Sequence, residues 1–227
     1  MKRFFFFAVM TLIGITASAK PEIQVKDYPV GEFTQLVVNG PLRVELTQSN
    51  SNSVSVESDA TDKVNVQCIG GVLMISVNTK AVNGYNVFRA KVSVKTLDKV
   101  TFINAAVLNV ADDFHASAIA LSAKSASTIY FRPQCHSIDV TADNASKIVL
   151  TGNVDKFTLQ CTEASNCQAQ FMKAGITEVY CNEASQAIVN TDTLSAQARS
   201  ASRITYIGTP IITKQETYSA SSIDTQE

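Results

Sequence analysis

The sequence predicts an all-β protein whose second half is a β-solenoid of about 19 residues per coil. The dipeptide Ala-Ser recurs at Ala126-Ser127, Ala145-Ser146, Ala164-Ser165, Ala184-Ser185 and Ala201-Ser202, spaced 19, 19, 20 and 17 residues apart. A period this regular marks a stacked repeat. The columns around the dipeptide alternate between apolar and polar, as strands do, and the repeats hold too many Ser, Thr and Asn for a helical unit.

Counting from each Ser, position −6 holds Leu121, Val140, Leu159, Val179 and Ala196, and position −4 holds Ala123, Ala142, Cys161, Cys181 and Ala198. Position +2 holds Ile129, Ile148, Cys167, Ala187 and Ile204, and position +4 holds Phe131, Leu150, Ala169, Val189 and Tyr206. Positions −3 and +1 are mostly polar. The expected coil is a strand, a tight bend carrying the Ala of position −1 inward, and a second strand. Stacked coils pair equivalent strands about 4.8 Å apart, so each column becomes a ladder along the axis.

Taken from the N-terminus, residues 1–19 have the three parts of a signal peptide: Lys2 and Arg3, an apolar run from Phe4 to Ile15, and the cleavage motif Ala17-Ser18-Ala19. The mature chain of 208 residues then begins at Lys20, carries a net charge of −3 and has no second apolar stretch long enough to span a membrane. Residues 20–99 alternate at Leu42, Val44 and Leu46, at Val54 and Val56, at Val64 and Val66, and at Leu73, Ile75 and Val77. Turn signals separate these runs at Asn39-Gly40-Pro41, Asn50-Ser51-Asn52, Gly70-Gly71 and Asn83-Gly84. This β-rich part either continues the solenoid or caps it. Regular coils are expected over 100–210, starting near Val100 and Phe102, with a partial coil or cap over 211–227.

A formal net charge of −1 over the whole chain argues against a nucleic-acid partner, and two His leave few imidazoles for a metal site, so no cofactor or metal is expected. Cys161 and Cys181 share an inward column one coil apart. They are close enough for a disulfide, yet in-register neighbours aim their Cβ atoms the same way, so two buried free thiols are the other reading. Cys167 and Cys68 fall in core columns, and Cys135 has no evident place. His115 and His136, 21 residues apart, have nearly the spacing to stack on adjacent coils, but with no partner carboxylates at fixed spacing they read as ordinary surface or core residues.

One edge of the coils collects charge. Lys124, Asp143 and Arg199 lie at −3, Glu163 and Glu183 at −2, Lys147 and Arg203 at +1. This outer ridge is the candidate ligand-binding surface, and its carboxylates are the one constellation that a polysaccharide-cleaving enzyme would use. A solvated, charge-alternating corner accounts for the same residues. Asp192-Thr193-Leu194 matches a short O-glycosylation pattern of exported bacterial proteins, which puts Thr193 on a loop after a strand.

The run Phe33-x-x-Leu36-x-Val38-x-Gly40 continues as Val44-x-Leu46-x-Gln48, then Val54-x-Val56-Glu57-x-Asp59, Leu73-x-Ile75 and a last Ile204-x-Tyr206-x-Gly208. In order and spacing it resembles the GIN-domain family, over roughly residues 28–223. The resemblance implies a right-handed parallel β-helix, export in Bacteroidetes and a role described as the head of an auto-transporter adhesin. It carries no catalytic residues. Where that family's corners are rich in Ser-Gly, this chain reads Asn-Ala-Ser, Glu-Ala-Ser or Ser-Ala-Ser. The expected function is a non-enzymatic binding or adhesion module in the periplasm or on the outer surface of a Gram-negative cell. Its partner would be an extended glycan or another envelope protein. A polysaccharide-degrading enzyme and a structural envelope scaffold are the alternatives.

Overall fold

The computed structural model describes residues 22–78, 80 and 86–226. The signal-peptide segment and the Asn83-Gly84 turn signal lie outside the described residues. Eighteen strands join one continuous sheet that winds into about seven stacked coils, with no α-helix among the described residues.

Each regular coil has two strand faces joined by a tight corner. The face before the corner carries β8 (Lys99–Ile103), β10 (Phe114–Lys124) and β12 (Pro133–Asp143). The face after it carries β9 (Val107–Asn109) and β11 (Thr128–Phe131). From there the strands run unbroken from the second face of one coil into the first face of the next: β13 (Lys147–Cys161), β14 (Asn166–Cys181) and β15 (Gln186–Ala198). The last coil is completed by β16 (Arg203–Ile207), β17 (Ile211–Thr217) and β18 (Ser222–Gln226). All of these pair in parallel, in a register that keeps the predicted columns together, as in Leu121↔Val140, Ile148↔Cys167 and Cys161↔Cys181.

The columns at −6, −4 and +2 are buried throughout, and +4 is buried except at Tyr206. The corner differs from the expectation. Ser127, Ser146, Ser165, Ser185 and Ser202 point inward and are at most 2% exposed, while the Ala before each of them is exposed. Seven corners place two successive residues at φ between 52 and 61°, from Asn104-Ala105 to Ser219-Ala220. Two left-handed residues in a row reverse the chain within one step, as in a type I′ turn, and both side chains are carried out into solvent. The inward set is therefore −6, −4, 0, +2, +4, and the small buried residue is Ser.

A buried hydroxyl needs partners. Ser146 Oγ donates to the Ala123 or Asp143 carbonyl, at 2.8 and 2.7 Å, and accepts from the Asp143 amide at 2.9 Å. Ser185 repeats the arrangement with the Cys161 carbonyl and the Asn182 amide. The corner backbones form their own ladder: Ala126 N–H donates to Asn144 C=O, Ala145 to Glu163 and Ala164 to Glu183, at 2.9, 2.8 and 2.7 Å.

The N-terminal part follows a different route. β2 (Gln35–Asn39) and β3 (Arg43–Gln48), joined by a corner at Gly40-Pro41, already form a coil that pairs with β8 and β9. Stacking thus begins near residue 35, well before Val100. On their other side they meet β6 (Val72–Val77) and β7 (Phe88–Val94), again in parallel. Antiparallel β5 (Val64–Ile69) then extends the first face, and β4 (Ser53–Ser58) and β1 (Gln24–Tyr28) extend the second. At the opposite end the inward columns turn polar, at Gln215, Thr217 and Thr225. This change closes the apolar core of the last coil.

Candidate functional site

The seven predicted ridge residues flank one corner edge. Lys124, Asp143 and Arg199 stand on the first face beside the corner, Glu163 and Glu183 at its tip, and Lys147 and Arg203 on the second face. Lys124 and Asp143 are register partners on adjacent coils, yet no ion pair within 4 Å joins any two of the seven among the described residues. Their contacts are lighter: Thr162 Oγ1 donates to Asp143 Oδ1 at 2.8 Å, Asn182 Nδ2 donates to Glu183 Oε1 at 3.0 Å, and the Arg199 guanidinium lies 4.7 Å from the Tyr218 ring centre. The column of Lys147 and Arg203 also runs through Thr128 and Val107 to Arg43 and Arg89 on the N-terminal strands, so basic residues recur along this edge, although Arg89 is paired with Glu57 at 3.5 Å. The sequence reading missed Arg43 and Arg89 because their strands show no 19-residue period.

The opposite corner, between the second face of one coil and the first of the next, holds a polar ridge that was also missed. His136 Nδ1 lies 2.7 Å from Asp155 Oδ2, Lys173 Nζ 2.5 Å from Asp192 Oδ1, and Arg132 Nε donates to Asp113 Oδ1 at 3.1 Å, each pair 19 residues apart. That spacing of complementary side chains was its visible signal. Of these, His136, Asp155, Lys173 and Asp192 line an open hollow of about 630 Å³. His115 pairs in register with Gln134, and His136 lies two residues further along the same strand, so the two His do not stack.

The five cysteines are thiols in this structure. Cys161 and Cys181 face each other in register, buried with Cys167; burial and the nearby Cys161 push the Cys167 thiol up, and the hydrogen bond with Cys161, together with burial, pushes the Cys181 thiol up. Cys135, unplaced by the sequence, is half-buried at the second corner, where its thiol donates to the Ser137 carbonyl at 3.3 Å. Burial and the Asp155 carboxylate push its pKa up to about 11, so it is held as a poor nucleophile. Among the described residues no three His, Cys, Asp or Glu are grouped to hold a metal. Thr193 lies in the middle of β15, paired with Ile176 and Ile211, and not on a loop, because the second corner here keeps its ladder pairing. One coil over, the register slips between Ala169 and Lys173, leaving Met172 buried and Phe171 71% exposed.

The outer surface of the first face forms a third region. Outward side chains at −7 and −5 line an open depression of about 380 Å³ around Tyr180.

Three solved structures share the architecture. A "putative adhesin" from Bacteroides fragilis superposes with a TM-score of 0.83 at 16% identity, over 91% of this chain and 98% of that one. A "putative lipid binding protein" from Parabacteroides distasonis gives 0.67 at 16% identity, over 90% and 97%. A "putative adhesin" from Parabacteroides merdae gives 0.68 at 15%, over 91% and 97%. No curated protein matches the chain. Residues 32–210 match the family described as "Putative auto-transporter adhesin, head GIN domain", and the chain belongs to that family.

Proposed function

We propose that this chain is an exported, non-enzymatic binding module of the cell envelope, facing the periplasm or the cell surface. Its ligand is an extended polymer such as a glycan, or a strand-like segment of another envelope protein. The observation that carries this is the stacking of outward polar side chains in columns over successive coils, on open surfaces. A ligand lying across the coils meets another outward side chain every ~4.8 Å. The charged corner edge offers both signs of charge without spending them on internal ion pairs, which leaves them free for a partner. The adhesin names of the family and of two structural neighbours point the same way.

The test replaces Asp143, Glu163, Glu183 and Arg199 by Ala together and measures binding to immobilised envelope polysaccharides and envelope-protein fractions. Weaker binding with an unchanged melting temperature supports the edge as part of the ligand surface, since exposed charges contribute little to stability. Unchanged binding removes that edge. Release of new reducing ends or unsaturated sugars from acidic polysaccharides by the purified chain overturns the non-enzymatic reading.

A further inference from the structure

Tyr180 occupies an outward position of β14, and its register partners on the coils before and after are Gln160 and Gln197. Two residues back along each strand stand Thr158, Glu178 and Ser195. The depression these side chains line holds one half-buried aromatic ring among two amides, two hydroxyls, the Glu178 carboxylate and the Lys214 ammonium. Charge is balanced locally. Lys156 Nζ lies 3.5 Å from Glu178 Oε1, and Lys214 Nζ lies 3.2 Å from Glu216 Oε2, which also accepts from Gln197 Nε2 at 2.6 Å. The lining itself carries one carboxylate, Glu178, and one ammonium, Lys214, so it holds no net charge with which to select an anionic or cationic partner.

We infer that this face is a binding seat for an uncharged saccharide chain, with Tyr180 as its stacking platform; the inference rests on the binding-module reading and places its sugar contact. Sugar rings present an apolar C–H face and a rim of hydroxyls. The Tyr ring offers a flat surface to the former, and the amides of Gln160 and Gln197 offer a donor and an acceptor each to the latter. Compensated charge favours a neutral polyhydroxylated ligand over an acidic one, and the openness of the depression lets a polymer pass through instead of ending in it. The size lies within the range of small-molecule sites.

The experiment is affinity electrophoresis of the purified chain through gels containing dextran, laminarin, mannan or arabinoxylan, with polygalacturonate as the acidic control. Retardation by at least one neutral polymer is expected. Tyr180→Ala should weaken it by about tenfold or more, as loss of a central aromatic anchor does, while Tyr180→Phe retains it. Gln160→Ala should weaken it by a smaller factor, and circular dichroism checks that each variant is folded. No retardation by any neutral polymer, or equal retardation of wild type and Tyr180→Ala, overturns this inference. Retardation lost in the four-residue corner variant but kept in Tyr180→Ala overturns the seat and leaves the binding-module reading standing. Loss of every interaction, including that with envelope-protein fractions, sinks both.

Discussion

The backbone amide of Ser146 donates to the hydroxyl of Ser165, one coil further on, at 3.2 Å. Ser185 and Ser202 repeat the contact at 3.2 Å, as do Ser202 and Ser221. At three corners a serine hydroxyl on one coil thus satisfies a serine amide on the coil before it, while the Ser165 amide donates to the Thr162 carbonyl within its own corner. Ser165→Ala removes that acceptor without opening a large cavity. It should cost about 1–3 kcal/mol, the penalty of a buried donor left unmade. Urea denaturation measures it, and an unchanged midpoint would mean that the ladder contributes nothing.

Ala164 sits at φ 58° with its methyl group in solvent. Left-handed backbone costs a residue with a Cβ about 1–2 kcal/mol and costs glycine almost nothing. Ala164→Gly should therefore raise the melting temperature by a few degrees, and Ala164→Val, with a branched Cβ, should lower it. The opposite order would show that corner strain is not what limits stability here.

Thr177 is fully buried between its register partners Phe157 and Leu194, and its Oγ1 has no hydrogen-bond partner. A nearly isosteric methyl removes the desolvation cost, so Thr177→Val should stabilise the fold by about 1 kcal/mol. Thr177→Ser keeps the hydroxyl and loses a methyl, and should destabilise it. Thermal melts of the two variants, compared with wild type, decide the matter.

Thiol labelling should divide the cysteines by burial. In the native protein Cys68 and Cys135 react slowly, and Cys161, Cys167 and Cys181 do not react. All five should label after denaturation without reductant; only three labelled would reveal a Cys161–Cys181 bridge. For Cys135 the native pKa is raised from an ordinary 9.0 to about 11. The unfolded chain loses this proton first as pH rises. The Cys135 contribution is therefore fully present below pH 9 and declines between pH 9 and 11, and Cys135→Ser should flatten the alkaline fall in stability over that window.

The period, the buried columns and the charged edge were legible because each coil repeats the same local pattern in sequence. Ser146 and Ala145 were misassigned because both are small: apolar spacing cannot say which of two adjacent small residues points inward when backbone handedness decides it. The packing of β2 and β3 between β6 and β8 and between β7 and β9 was not legible either. Parallel pairing between segments dozens of residues apart, with no shared period, leaves no trace in local composition. Nothing in its own stretch of sequence marks Tyr180. Its meaning comes from Gln160 and Gln197, which register alone places beside it.

Each regular coil after the first pairs only with the one before and the one after it, and the corner serines hand their hydrogen bonds on in one direction. Excising residues 147–165 would join Ser146 directly to Asn166, the register partner of Lys147, and every column would close up again. The molecule can thus be lengthened or shortened by whole coils, about 4.8 Å at a time, without redesigning its ends. Length along the axis is thereby an adjustable trait, set by the number of repeated segments.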